Sequence, residues 1–344
     1  MKRIIPYRWI RILIWLLIIL VLIWCGIWFF ASRWIDDRID ETITSMKDRG
    51  VTIDCEKRSV SGFPLAMNVK CETISVVTVR GTERADAGEL VTGANIWDPD
   101  VLQSQLASPF VTYAGGKKLQ ADWKLLNAKI DGNLQGGLDG IELQGRRINV
   151  IRDDIMVTAR SHLTRLTPIH WSRKLDGKMA SLRLQLATRK FGLEVADGIK
   201  IPDADVRGVA VLKDGYFDLI DQRMPLQKAL ADGANVRINN LVLSVEGGGK
   251  LGFSGPITLS VDGLISGTVR MGIAEPQAVA KWAAQIDRNF EQAVVGLGQA
   301  VAGMGKPSKI AGQEMSTITV KIKRGEVRLG FIKLGKIPRI DLKP

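Results

Sequence analysis

Residues 241–271 read LVLSVEGGGKLGFSGPITLSVDGLISGTVRM, and their pattern decides the fold class. Apolar side chains at Leu241, Leu243, Val245, Leu251, Phe253, Ile257, Leu259, Val261, Leu264, Ile265, Val269 and Met271 alternate with serine, glycine and threonine. A period of two puts successive side chains on opposite faces of a strand, so one face is apolar and the other polar. Antiparallel sheets bury such a face against a core. A curled, incompletely covered sheet would turn the same face into a groove suited to acyl chains, and glycine inside strands permits the curvature. Leu251, Phe253, Leu259 and Val261, joined by Phe331, are the residues that would line it. A closed β-sandwich core without a cavity satisfies the pattern equally.

Outward from this stretch, alternation continues over Thr73–Val79, Ile141–Ile151, Ser181–Leu186, Val206–Leu212 and Val236–Val245. Asp-Gly pairs at Asp131-Gly132, Asp139-Gly140, Asp176-Gly177, Asp214-Gly215 and Asp262-Gly263 punctuate it as turn signals. The C-terminus reads as a hairpin: Ile318, Val320 and Ile322, a turn at Arg324-Gly325, then Val327, Leu329 and Phe331 returning. Three helices interrupt the strands. Asp98-Pro99 offers an N-cap and a first-turn proline for a short helix through Leu106. Pro225–Ala231 resembles another. Pro276–Val301 carries a stripe of Trp282, Ile286, Phe290, Val294, Leu297 and Val301, ending in a loop at Gly303–Pro307. The recurrence of strands around two short helices hints at two lobes, 51–170 and 171–344, joined near Thr167–Asp176. The exported domain, 51–344, is therefore expected to be mainly β (α+β), with antiparallel curled sheets or half-barrels and a few helices.

Ahead of it, Ile12–Ala31 is an uncharged run, ILIWLLIILVLIWCGIWFFA. Twenty residues at about 1.5 Å each span roughly 30 Å, the thickness of a bilayer's hydrocarbon core. Lys2, Arg3, Arg8 and Arg11 precede the run, which predicts residues 1–11 in the cytoplasm, a transmembrane anchor over 12–32, and the bulk in the periplasm. Trp9, Trp15, Trp28 and Trp34 stand near its two ends, where amphipathic rings favour the interface. The run exceeds a signal-peptide core and no A-x-A site follows it; Ile23 and Trp24 before Cys25 are too bulky for a lipobox. Ile35, Ile39, Ile43 and Met46 then recur at helical spacing up to Gly50, a juxtamembrane helix over 33–50.

The chain has 344 residues, 46% of them hydrophobic, with a net charge of +12. That composition supports a substantial core and excludes a disordered tail. Lys2, Arg3, Arg8, Arg11 and Arg33 sit at the anchor, which leaves 43 basic against 36 acidic residues elsewhere, a net of +7. A basic surface tethered to a bilayer faces anionic headgroups, so inner-membrane lipids are the expected partner. No block of Lys/Arg with interleaved aromatics points to nucleic acid. Cys55 and Cys71 sit in alternating segments, and in an oxidising compartment a bridge between neighbouring strands would contribute about 3 kcal/mol. Two separate buried thiols are the alternative.

Motifs that carry chemistry are scarce. His162 and His170, eight apart, lack metal-ligand spacing and have no G-x-S-x-G partner. Gly247, Gly249 and Gly252 match G-x-G-x-x-G by letter, but Phe253–Ile257 continues as turn and strand rather than helix. Asp36-Asp37 and Asp153-Asp154 read as solvated pairs on the juxtamembrane helix and in a turn. No catalytic residues, metal or cofactor are expected, and a non-enzymatic protein is the preferred class.

Val60-Ser61-Gly62-Phe63-Pro64 with flanking Cys55 and Cys71, Trp97-Asp98-Pro99, Ala121-Asp122-Trp123, and Gly330-Phe331-Ile332-Lys333-Leu334-Gly335 with Pro338 resemble a family of uncharacterised bacterial envelope proteins. That family is a domain of unknown function with one N-terminal anchor and no established catalytic residues. The β-rich pattern is also similar to the much longer AsmA-like proteins, and this resemblance implies a curled β-groove and lipid traffic. The expectation is thus an anchored periplasmic protein that binds lipid or another apolar ligand in a β-groove, serving envelope maintenance. The alternative is an interaction or assembly scaffold with a closed β core that docks another envelope protein.

Overall fold

The computed structural model describes residues 7–78, 83–132, 138–170, 180–195, 198, 200–213 and 233–340. Two compact units divide at Lys118/Leu119.

The first unit opens with one unbroken helix, α1 (Tyr7–Asp48), so the apolar run and the juxtamembrane segment are a single rod. Residues 11–48 meet the length and hydropathy of a membrane span near the N-terminus. Gly50, at a positive φ, ends the rod and releases the chain into strands. These are β1 (Val51–Glu56), β2 (Ser59–Ser61), β3 (Ala66–Cys71), β4 (Thr73–Thr78), β5 (Glu83–Ala87), β6 (Leu90–Asn95), β7 (Asp98–Leu106) and β8 (Phe110–Ala114). The pairings β1–β4, β2–β3, β4–β5, β3–β6, β5–β8 and β6–β7 are all antiparallel. The unit is therefore a four-limbed meander, 51–61, 66–78, 83–95 and 98–114, with every limb broken near its middle. Glu72 donates its N–H to Glu56 O and Ala107 to Glu89 O, so hydrogen bonding crosses that break. The Cys55–Cys71 disulfide, with Cα atoms 5.3 Å apart, clips the first two limbs beside it, as expected.

One expectation fails here. Asp98–Leu106 is strand, not helix: Asp98 pairs with Asn95 across a tight turn, and Gln103, Ser104, Gln105 and Leu106 pair with Gly93, Thr92, Val91 and Leu90. Pro99 sits in the register irregularity behind the turn, where a missing N–H breaks no regular ladder. Cross-strand pairing outweighed the capping signal.

The second unit is one antiparallel sheet. Its strands are β9 (Lys117–Asp122), β10 (Leu125–Gly132), β11 (Leu138–Arg152), β12 (Ile155–His170), β13 (Ala180–Val195), β14 (Lys200–Leu212), β15 (Ala234–Val245), β16 (Lys250–Leu259) and β17 (Ile265–Ala274). After them come β18 (Lys306–Ile310), β19 (Gln313–Lys323), β20 (Glu326–Leu329) and β21 (Ile332–Lys336). From β10 to β17 each strand pairs with the next in sequence. Residues 119–122 share the edge of β11 with β10. β17 then pairs with β19, and β18 and β20 divide the far edge of β19.

Two helices, α2 (Pro276–Ala284) and α3 (Arg288–Met304), are inserted between β17 and β18. The helical stripe is thus interrupted at 285–287, and Phe290 is 58% exposed instead of joining it. The expected loop over 303–307 is the end of α3 and the start of β18. Asp131-Gly132 and Asp139-Gly140 lie inside β10 and β11, with Asp131 opposite Gly140, while Asp262-Gly263 is a true turn. Asp176-Gly177, Asp214-Gly215, the expected helix at Pro225–Ala231, and 171–176 of the candidate joint lie outside the described residues. The final hairpin turns at Arg324-Gly325, both at positive φ, but Phe331 sits in a second turn between β20 and β21 and is fully exposed.

Candidate functional site

Residues directly opposite in an antiparallel ladder point to the same face, so registers trace rows of side chains across the sheet. One row runs Ile130, Ile141, Leu166, Leu184, Ala210, Ile238. The next runs Ala128, Leu143, Thr164, Leu186, Gly208, Leu241, Phe253, Met271, Ile318. A third runs Leu126, Gly145, His162, Thr188, Val206, Leu243, Leu251, Ile273. All lie on one face, and apart from Gly145, Gly208, Thr164, His162 and Thr188 they are apolar. The intervening positions form the opposite face and place Arg146, Arg165, Arg183, Arg189, Arg207, Arg237, Arg270 and Lys321 there, all exposed.

Helices α2 and α3 cover the apolar face over its later strands. Val279, Ala283, Val294 and Val301 pack with Val245, Ile273, Ile318 and Val320 into one buried cluster, which Leu243, Leu251, Met271 and Trp282 border. Trp282 also donates its indole N–H to Pro202 O at 3.1 Å. The glycines of the G-x-G-x-x-G lettering serve packing. A Cβ at Gly249 would meet Val279 N of α2 at 2.8 Å, and one at Gly252 would meet Met315 Sδ at 2.7 Å on the other face. Over β10–β14 the same rows continue: Leu126, Ile130, Ile141, Leu166, Leu184 and Leu186 are half-buried, as are Leu241, Leu243, Leu251, Phe253 and Met271 at the border of the covered core, and Leu143 is 37% exposed. This strip, continuous with the helix-covered core, is the candidate site.

His162, with Thr164 and Thr188 beside it, is the polar part of the strip. Its Nδ1 lies 2.8 Å from Thr188 Oγ1 and its Nε2 2.7 Å from Thr164 Oγ1, so both ring nitrogens have partners. Burial lowers its pKa below the ordinary imidazole value and keeps the ring neutral near pH 7. Two threonine hydroxyls, rather than a carboxylate, hold the two ring nitrogens, so the ring lacks the carboxylate orienter of a Ser-His-Asp arrangement. His170 pairs with Ala180 in the ladder. Among the described residues, no three His, Cys, Asp or Glu side chains gather as a metal site.

The opposite face has its own hollow. Gln144, Arg146, Arg160, Ser161, Arg189, Lys190, Asp205 and Arg207 line an open recess of about 700 Å³, with one carboxylate against five cationic groups. A second recess of about 510 Å³ is rimmed by Lys321, Lys323, Arg324, Arg328, Lys333 and Lys336. There Lys333 and, after it, Arg328 hold the Glu326 carboxyl below the usual range.

The structure scatters the five residues singled out in the sequence. Leu251 borders the helix-covered cluster, half-buried. Phe253 stands beside it in the ladder, opposite Leu241 and Met271. Leu259 is buried opposite Ala234. Val261, 71% exposed, lies in the β16–β17 turn, and Phe331 in the β20–β21 turn. The half-buried strip formed by Leu143, Leu166, Leu184 and Leu186 was missed, although its alternation is visible in each segment. Only cross-strand register shows that these residues share a face.

No curated protein and no solved structure matches the chain. A bacterial family described as an uncharacterized protein conserved in bacteria does match, over residues 28–338, which takes in both units and the end of the apolar helix. On that match, the chain belongs to this family, DUF2125.

Proposed function

We propose that this protein is a non-enzymatic lipid-binding module of the cell envelope, held by α1 in the inner membrane with its folded units in the periplasm. The carrying observation is the three-row apolar face, sealed by α2 and α3 at one end and left half-buried along β10–β14. A strip of this kind takes an acyl chain by shape and burial, with roughly 25 cal/mol gained per Å² of apolar surface removed from water. Polar points such as the neutral His162 between two threonines would orient the end of the chain without charge. The positive flank before Ile12 supports the cytoplasmic N-terminus, and the Cys55–Cys71 bridge supports an oxidising compartment. The long antiparallel strands fit the groove that the resemblance to AsmA-like proteins implies.

Photo-crosslinking in cells tests this reading. A benzophenone side chain placed at Leu143 or Leu184 should capture lipid, whereas the same group at Arg183, on the opposite face, should not. Crosslinks from Leu143 and Leu184 to a protein of the envelope would instead favour the scaffold reading.

A further inference from the structure

The first unit touches the apolar part of α1 itself. Trp24 donates its indole N–H to Pro64 O at 3.2 Å and Trp28 to Ala66 O at 3.3 Å. Phe63 packs edge-on against Trp28, with ring centroids 5.5 Å apart. These partners form the turn between β2 and β3, where the run Ser59–Val69 holds no charged residue. The β6–β7 turn lies beside it, because Ile96 donates its N–H to Leu65 O at 3.1 Å. Two hairpin tips thus end together, the β2–β3 tip against the helix and the β6–β7 tip against the first, and they carry Phe63, Leu65 and Trp97 at 49%, 50% and 78% exposure.

Depth follows from the helix rise. With the span taken as 12–32, Trp28 lies four residues and Trp24 eight residues inside its outer end, or about 6 and 12 Å. The β2–β3 tip, which both indoles reach, therefore lies below the boundary of the hydrocarbon core, with the Ile96-Trp97 tip beside it. Arg58, 18% exposed, fixes the arrangement from outside, since its guanidinium reaches Asp36 at 2.7 Å and Asp40 at 2.8 Å. Backbone at such depth must have its polar groups satisfied within the protein. Pro64 has no N–H, Leu65 and Ala66 both donate to Gly62 O, and the two indoles cover the carbonyls of Pro64 and Ala66. Gly62 stands at φ +105°, and a Cβ there would meet Ala66 O at 2.7 Å, so the tight turn requires glycine.

We propose that the Gly62–Leu65 turn and Trp97 form a second membrane contact, a wedge seated in the acyl chains of the leaflet that faces the first unit. This rests on α1 crossing the bilayer, and it holds for either orientation of the chain. The wedge fixes the unit's height and tilt at the surface, which a lone helix would leave free to swivel.

Full-length chain carrying Cys25→Ala, with the disulfide intact, supplies the test. Single cysteines at Phe63→Cys, Trp97→Cys, Ile18→Cys and Lys57→Cys receive a nitrobenzoxadiazole label. Each is reconstituted in phosphatidylethanolamine–phosphatidylglycerol vesicles with doxyl-labelled acyl chains. Labels at 63 and 97 should shift to the blue and lose most of their emission, as the Ile18 label does, while the Lys57 label does neither. A quenched Ile18 label with water-exposed labels at 63 and 97 would overturn the wedge and leave the anchor standing. An Ile18 label in water would overturn the anchor, and the wedge with it. Because Trp97 is so exposed, its replacement leaves the fold intact should Phe63→Cys perturb it.

Discussion

Strands β15–β19 and strands β10–β14 carry the same apolar rows but end in different environments. At Ile318 and Val320, beneath α2 and α3, exposure falls to 5% and 1%; at Leu143, in a neighbouring part of the same face, it is 37%. The first region is built as a core, with helices supplying Val279, Ala283, Val294 and Val301 as the second layer. In the second, the strip adds His162, Thr164 and Thr188 to the apolar types, and α2 meets it at Pro202 and Ala204 of β14. A sheet needs a second layer to bury its apolar face. The difference separates residues that hold the fold from residues that the proposed lipid would contact.

Substitutions should break the two regions unequally. Ile318→Ala removes a buried side chain that cannot be refilled and should cost about 2–5 kcal/mol in urea unfolding. Leu184→Ala, in the half-buried strip, should cost about 1 kcal/mol and show its main effect on lipid capture. Equal losses at the two sites would erase the distinction. Removing the bridge with Cys55→Ala should lower stability by about 3 kcal/mol, read as a shift in the unfolding midpoint. Gly252→Ala pushes a Cβ to 2.7 Å from Met315 Sδ and should cost about 1–3 kcal/mol. Gly208→Ala, in the strip, meets first the movable end of Leu241 at 2.9 Å, then the Asn240 carbonyl at 3.3 Å and Leu241 Cα at 3.7 Å, and should cost less than about 1 kcal/mol.

The smallest effect is titration. His162 has a folded pKa depressed by burial, so the unfolded chain binds its proton first. Its contribution is complete above the unfolded value of 6.5 and is lost as pH falls from there toward the folded pKa. A melting temperature that drops below pH 6.5, and drops less in His162→Gln, is the expected outcome.

Much of this architecture was legible in the sequence, and the misses have identifiable causes. Alternation located β4, β11, β13, β14, β15 and the final hairpin because side-chain period is a local property. Cys55 and Cys71 were readable as a pair because both lie in strand-like segments close in sequence. Asp98-Pro99 misled because a cap and a first-turn proline resemble a tight strand turn until the partner strand is known. Membership of the strip depends on the registers of β10 through β14, which no single segment encodes. Phe331 kept the parity of Val327 and Leu329 on paper, yet Gly330 turned the chain first.

Native mass spectrometry of the full-length chain released from detergent decides whether the strip holds lipid. Lipid should stay bound after the micelle is stripped, and Leu166→Trp with Leu186→Trp, which fill the strip, should abolish its retention while the disulfide and unfolding midpoint persist. A well-folded wild-type chain that emerges at its bare mass, or a Trp variant that holds lipid as the wild type does, would contradict lipid binding in the strip.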